Sequence, residues 1–180
     1  MAEIQPVAPV KLIAAILWSQ QSTLGQTLDL LTESFGAIDF QSADYPFDTT
    51  DYYQSEMGEN LKRRIIAFND LISPETIVKA KQITNTMEMT ISGCPARTVN
   101  IDIGFIDHNK LVLASVKDAG QKIHLGQGIY ADMICRYQAG QYHALPWAFP
   151  DFKDNRYRSE LLAVRKIYLA QRKAHPHTIR

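Results

Sequence analysis

The hydrophobic pattern of the chain begins with an apolar run within residues 11–18, KLIAAILW. Such a run is typical of a central strand that is covered on both faces of its sheet. The period then becomes helical, with Ser22 as the predicted N-cap and Gly36 as the predicted end. Four apolar residues mark the buried side of this helix: Leu24, Leu28, Leu31 and Phe35.

The pattern then alternates between helix and strand. Residues 38–45 alternate apolar and polar side chains as a half-buried strand does, and Pro46 ends that strand. Residues 47–60 are polar and turn-rich, which predicts a surface excursion and a candidate binding loop. Residues 61–71 predict the next strand. A Ser-Pro-Glu helix start then predicts a helix from Ser73 to about Ile91.

The second half of the chain is mostly β. Residues 97–137 hold four apolar stretches separated by short polar turns, which predicts an antiparallel meander. An amphipathic helix is predicted from about Asn155 to Lys173. The order of elements predicts an α+β fold, a ferredoxin-like βαββαβ sandwich with an extended antiparallel sheet and a C-terminal helix. We expect a single domain over residues 1–180, with an ordered core over about residues 9–173.

Composition narrows the classes of partner. Lysine and arginine together number 19, as do aspartate and glutamate, so the formal net charge is zero. Duplex-DNA binding requires a basic stripe, so nucleic acid is disfavoured as a partner. The first apolar run is too short to span a bilayer, so we expect a cytoplasmic location without membrane association. Cys94 and Cys135 lie in no CxxC motif, which predicts buried thiols rather than a zinc site.

A polar surface is predicted where the later strands pair. Side chains alternate along a strand, so each of these strands carries one apolar face and one polar face. If the strands are neighbours, their polar faces form one surface that carries Asn100, Asp102, Lys122, His124, Tyr130, Asp132 and Arg136. The alternative is that this surface is only the solvated face of a one-sided antiparallel sheet.

Two carboxylates on this surface, Asp102 and Asp132, together with its histidine and cations, suit a divalent metal or a phosphorylated ligand, or a general acid and base. The candidate catalytic residues are Asp102, Lys117 and His124. The candidate ligand-binding residues are Tyr53, Glu56, Arg97, Asn100, Lys122, Tyr130, Asp132 and Trp147. Tyr53 and Trp147 stand in aromatic-rich irregular stretches and are predicted to stack on a ring or, alternatively, to cover the core or an oligomer interface.

Common enzyme motifs do not occur in the sequence. The chain has no GxxxxGK[ST], no GxGxxG after the first strand, and no HExxH or GxSxG. This disfavours the enzyme classes that those motifs mark.

Three segments resemble a bacterial family of unknown function, domain of unknown function 4416, over roughly residues 9–168. The family pattern Tyr-Tyr-x-x-Glu-Met-Gly is matched at residues 52–58, and Thr-Asn-x-x-Glu is matched at residues 84–88. Residues 99–105 keep the asparagine, aspartate and glycine of a Val-Asn-Leu-Asp-Pro-Gly-Tyr segment, but not its proline and tyrosine. Lys122 stands where the family tends to have arginine, which keeps the charge without the bidentate geometry.

The resemblance leaves the function open. Some members of such families are labelled GTP-binding proteins, which implies a nucleotide ligand. One hypothesis is therefore a protein that binds or acts on a phosphorylated or nucleotide-like small molecule through the polar sheet face. The alternative is a non-catalytic module for protein interaction or homo-oligomerisation. Single-stranded RNA binding would require an aromatic pattern on the sheet that the sequence lacks.

Overall fold

The computed structural model describes residues 3–93 and 97–174. These residues form one antiparallel sheet with helices on both faces. The strands are β1 (Val10–Trp18), β2 (Ile38–Gln41), β3 (Tyr45–Pro46), β4 (Lys62–Ile72), β5 (Val99–Ile106), β6 (Lys110–Ser115), β7 (Ile123–Gly126), β8 (Ile129–Gln138) and β9 (Gln141–Ala144). The helices are α1 (Gln21–Phe35), α2 (Gln54–Met57), α3 (Ile77–Ser92), α4 (Pro150–Lys153) and α5 (Arg158–Ala174). The predicted α+β class, large antiparallel sheet and C-terminal helix are confirmed.

The strand order is β2-β4-β1-β5-β6-β8-β7, with β3 added beside β4 and β9 beside β8. Strand β1 lies between β4 and β5 and is buried along its whole length, as its apolar run predicts. The later strands differ from a simple meander, because β8 returns beside β6 and β7 lies outside it at the edge.

Two core clusters lie on opposite faces of the sheet. Helices α1 and α3 pack on the face that presents the even-numbered residues of β1, through Leu24, Ile77 and Met87. Helix α5 packs on the other face through Leu161 and Val164. The arrangement buries apolar side chains of the sheet on both faces, which is the main favourable contribution to folding. No helix among residues 3–93 and 97–174 is long and apolar enough to cross a membrane.

Several local predictions need correction. The strand predicted over residues 38–45 is interrupted, and Pro46 lies within β3 rather than after the strand. Helix α1 has Gln20 at its N-cap instead of Ser22, and no side chain caps it. Cys135 is buried as predicted, and burial raises its pKa to about 12, so it stays a neutral thiol. Cys94 lies outside the described residues.

The pairing of β5 with β6 is short, and this positions the candidate site. The two strands pair only from Gly104 to Ile106 and then separate. A Cβ on Gly104 would lie 2.2 Å from the carbonyl oxygen of Val112 and 2.6 Å from Cδ2 of Leu113. Glycine is therefore required at this close contact of the two backbones. Beyond it, the earlier residues of β5 and the last residues of β6 face each other across a gap.

Candidate functional site: a polar cleft between β5 and β6

A cavity of about 130 Å³ lies where β5 and β6 separate. Side chains from α3, β5, β8 and the segments around them line it. Its charged lining residues are Lys81, Arg97, Asp102, Lys117, Lys122 and Asp132. Four of these are cationic and two are anionic, so the charge of the lining favours an anionic ligand.

Helix α3 supplies the hydrogen bonds that β6 does not make at this point. The backbone N–H of Ile101 donates to Oε1 of Glu88 at 2.6 Å, and Nζ of Lys81 donates to the carbonyl of Ile101 at 3.0 Å. A buried backbone group without a partner is costly, so these two side chains stabilise the open cleft. Burial raises the pKa of Glu88, although the nearby charges of Lys81 and Arg97 oppose the shift.

Arg97 holds the wall of the cleft at the start of β5. Its guanidinium donates to Oε2 of Glu88 at 2.5 Å and to Oδ1 of Asn100 at 2.5 Å. Burial alone would lower the pKa of Arg97, but the carboxylate of Glu88 outweighs it and the pKa lies above its usual value. Glu56 forms a longer ion pair with the same guanidinium, at 3.6 Å. Because Arg97 donates to the oxygen of Asn100, this one charged neighbour sets the orientation of that amide.

Three buried polar atoms at the cavity have no hydrogen-bond partner among the described residues. They are Nδ2 of Asn100, Oδ2 of Asp102 and Oδ1 of Asp132. Leaving a buried polar atom unpaired costs about 1–3 kcal/mol, so native proteins rarely keep several in one place. One donor and two acceptors on residues that line the cavity therefore lack hydrogen bonds that a ligand, or water in its absence, can complete.

Asp102 also takes part in a buried ion-pair network. The guanidinium of Arg63, on β4, is fully buried and lies 3.6 Å from Oδ2 of Asp102 and 3.2 Å from Oδ2 of Asp151. Burial alone would lower the pKa of Arg63, but Asp151 and Asp102 raise it above its usual value. Tyr157 donates its hydroxyl to Asp151 at 2.8 Å. The network keeps Asp102 beside a permanent positive charge.

The opposite wall is formed by Lys122 and Asp132. Nζ of Lys122 donates to Oγ of Ser115 at 2.8 Å and lies 3.5 Å from Oδ2 of Asp132. Burial raises the pKa of Asp132, and the charge of Lys122 only partly opposes this shift. Asp132 therefore takes up a proton at a higher pH than an ordinary aspartate does.

The mouth of the cleft is bordered by the segment between β3 and β4. Tyr53 is buried and lines the cavity, while the adjacent Tyr52 is exposed. Lys117 donates a hydrogen bond to the hydroxyl of Tyr52. Phe149 contributes an aromatic wall and also packs against the guanidinium of Arg63. The predicted binding loop thus contributes to the site.

The cavity brings together seven of the predicted site residues: Tyr53, Arg97, Asn100, Asp102, Lys117, Lys122 and Asp132. Four others do not line it. Glu56 reaches it only through Arg97. His124 and Tyr130 stack on each other at the sheet edge, with ring centroids 5.1 Å apart. Trp147 donates its indole N–H to the carbonyl of Met133, and Phe149, two residues later, takes the expected aromatic position.

Sequence reasoning missed Arg63, Lys81 and Asn85. A signal existed for the first two, because each is a charged residue on a buried side of its element. Arg63 shares one face of β4 with Ile65 and Ala67, and Lys81 lies on the buried stripe of α3. Charged residues at such positions are rarely buried without partners. Asn85 lies in the Thr-Asn-x-x-Glu pattern at residues 84–88, which carried the family resemblance but not a site prediction.

The described residues contain no group of three or more His, Cys, Asp or Glu side chains that could hold a metal ion. Asp102 and Asp132 are the two carboxylates of the lining, and each lies beside a cation, Arg63 or Lys122. A divalent cation usually requires more oxygen ligands than these two side chains offer. The arrangement therefore fits an anion better than a metal.

Comparison with known proteins places the chain in a family without an assigned function. The chain belongs to the family described as "Domain of unknown function (DUF4416)", whose model matches residues 8–168. No curated protein and no solved structure matches the chain. The three segments that carry the resemblance meet at the cleft, because Tyr53, Asn85, Asn100 and Asp102 all line the cavity.

Proposed function

We propose that this member of the family binds a phosphorylated or nucleotide-like small molecule, with the anionic group of the ligand in the cleft between β5 and β6. The observation that carries the proposal is the set of unpartnered buried atoms on Asn100, Asp102 and Asp132 in a cavity with four cationic side chains. Phosphoryl oxygens accept hydrogen bonds from lysine, arginine and amide donors. The cavity, about 130 Å³, has room for one phosphoryl group.

The carboxylates indicate a second chemical feature of the ligand. An ionised carboxylate only accepts hydrogen bonds, so Oδ1 of Asp132 and Oδ2 of Asp102 require donors, although the latter also has the ion pair with Arg63 at 3.6 Å. A sugar hydroxyl or a protonated phosphate oxygen supplies such a donor. We therefore propose a ligand that carries a hydroxyl close to its anionic group, as sugar phosphates and nucleotides do.

Catalysis is a separate question from binding. Asp102 and Lys117 line the cavity, but His124 lies at the edge strand and does not. A general acid–base pair must lie within hydrogen-bond reach of the same substrate. The proposal is therefore a binding site built around Asp102, and it includes no acid–base role for His124.

We also propose that the first half of the chain is ferredoxin-like. The strand order β2-β4-β1-β5 and the position of α1 and α3 on one face support this description. Strands β6 to β9 then extend the sheet beyond the β5 edge. In this view the cleft lies at the junction between the ferredoxin-like half and its extension.

The test is calorimetric titration of the protein with inorganic phosphate, sugar phosphates and nucleotides, repeated on Lys122→Met. We expect binding of at least one phosphorylated compound and a loss of about ten- to a hundredfold in affinity in Lys122→Met, because a charge-assisted hydrogen bond is lost. The matched control is Lys166→Met, on the exposed side of α5. Equal losses in both variants, or no binding of any phosphorylated compound to the unmodified protein, would contradict the proposal.

Binding should strengthen as the pH falls. Protonation of Asp132, whose pKa is raised by burial, removes a negative charge from the cationic cavity. Sulfate is the appropriate probe because it stays a dianion while Asp132 takes up its proton. We expect its affinity to increase as the pH falls through the raised pKa of Asp132. Asp132→Asn should bind sulfate more tightly at neutral pH and show a flatter profile, and an unchanged slope in this variant would refute the assignment.

One observation favours the interaction module as a second candidate. Ile123 and Leu125, on the edge strand β7, are 69% and 41% exposed. Exposed apolar residues on an edge strand, whose outer side pairs with no other strand, are typical of contact sites for another chain. Failure of every phosphorylated compound to bind would make this the better proposal.

A further inference from the structure

We propose that the ligand has a second, larger moiety that lies in a groove beside the cleft, which makes its class a nucleoside monophosphate. This inference rests on the proposed function. The groove has a volume of about 450 Å³ and lies between the C-terminal half of α3 and the end of β6. It is lined by Asn85, Glu88, Met89, Ser92, Arg97 and Val116, together with Gly93.

The groove and the cavity are adjacent. Asn85, Arg97 and Val116 line both compartments. In the proposed arrangement, a molecule that places an anionic group in the cavity extends past these three residues into the groove. The two volumes indicate which part of the ligand each compartment holds. The cavity of about 130 Å³ holds a phosphoryl group, and the groove of about 450 Å³ is in the range of pockets that hold rings.

The chemistry of the groove suits a flat, largely apolar ring. Met89 is 68% exposed and Val116 is 51% exposed, and both of these apolar side chains line the groove. The guanidinium of Arg97 supplies a planar cation at the junction, and such groups stack on aromatic faces. A nucleobase would cover this apolar surface and keep its polar edge in water or against a neighbouring amide.

Asn85 supplies that amide. Its side chain makes no hydrogen bond to any other residue that the structure describes, although it stands where the two compartments meet. An amide presents one donor group and one acceptor, which matches the edge of a nucleobase or a ribose hydroxyl. Asn85 is therefore the specificity-determining residue of the groove, while Lys122 and Asn100 hold the phosphate.

The experiment is calorimetric titration with inorganic phosphate, ribose 5-phosphate, adenosine 5′-monophosphate and guanosine 5′-monophosphate. We expect at least one of the two nucleotides to bind about tenfold or more tightly than phosphate or ribose 5-phosphate, because the base stacks on the groove. Met89→Ser should lower the affinity for that nucleotide about tenfold and leave the affinity for phosphate unchanged. Asn85→Ala should reduce the preference between the two nucleotides. The matched control is Thr90→Ala, one residue from Met89 and outside both compartments.

The outcomes separate this inference from the proposed function. If phosphate and both nucleotides bind equally, and Met89→Ser changes neither, the groove is not a ligand site but the cleft remains an anion site. Tighter nucleotide binding that both Met89→Ser and Asn85→Ala leave unaltered would also overturn the inference. If none of the four compounds binds, the proposed function itself fails.

Discussion

Replacing Arg63 with methionine is expected to lower the free energy of unfolding by about 3–5 kcal/mol. Arg63 is fully buried between Asp151 and Asp102, and its removal leaves two carboxylates beside apolar rings without their cation. Methionine is similar in length to arginine, so the loss of stability reflects the missing charge rather than a large cavity. Urea denaturation followed by circular dichroism measures the change, provided that the slope of the transition is unchanged.

A neighbouring arginine provides the control for Arg63. Arg64 is the next residue of β4 and pairs with Asp44 at 2.7 Å in a partly exposed position. Arg64→Met should cost about 1 kcal/mol or less, because water replaces the lost partner. In the double variant Arg63→Met with Asp151→Asn, the second change should cost much less than Asp151→Asn alone. Equal costs for the two arginines, or strictly additive costs in the double variant, would show that the buried network is not coupled.

Gly104→Ala is the second substitution with a large expected effect. The added methyl group would lie 2.2 Å from the carbonyl oxygen of Val112, so β5 and β6 must move apart at their last paired position. We expect a loss of about 1–3 kcal/mol in the free energy of unfolding. The cleft begins at this residue, so anion affinity should fall as well. Denaturation and sulfate titration of the same variant measure the two effects.

The control for Gly104 is another glycine in a regular element. A Cβ on Gly25, within α1, meets no atom within 4 Å. Gly25→Ala should therefore stabilise the protein slightly, by about 0.5–1 kcal/mol, because alanine favours the helix. A Gly104→Ala protein that is as stable as the parent and binds sulfate equally well would show that the strands adjust without cost.

The elements of the fold were predictable where one side of an element is consistently apolar. The apolar run of β1 and the helical spacing within α3 and α5 each correspond to a buried surface. The lateral order of the later strands was not predictable, since alternation tells which face of a strand is buried but not which strand lies beside it. The position of β7 outside β8 is such a long-range choice.

The site was partly predictable for the same reason. Alternation along β5 correctly grouped Asn100 with Asp102, and both line the cleft. It failed in β8, where a bulge places Ile134 and Cys135 in the same core cluster. The extra residue breaks the alternation that predicted Arg136 beside Asp132. Arg136 is exposed and donates a hydrogen bond to Gln138.

The other residues of the site lie outside the strands, so the alternation of side chains along a strand cannot predict that they meet there. Lys81 and Asn85 approach from α3, and Phe149 approaches from the segment before α4. A single sequence indicates which face of each helix is buried. It does not indicate which part of the sheet that face covers, or that the sheet has a gap there. The pairing of β5 with β6 ends at the close backbone contact of Gly104, which becomes visible only when the partner strand is known.

The hydrogen bonds from Lys81 and Glu88 to Ile101 make the cleft a permanent recess rather than a transient opening. If the backbone N–H and carbonyl of Ile101 had no partners, β6 would tend to pair with this part of β5. That pairing would close the gap between the two strands. With those groups already occupied, closure must first break two charge-assisted bonds. The cleft is therefore preorganised, so the proposed ligand would lose little of its binding energy to rearrangement of the protein.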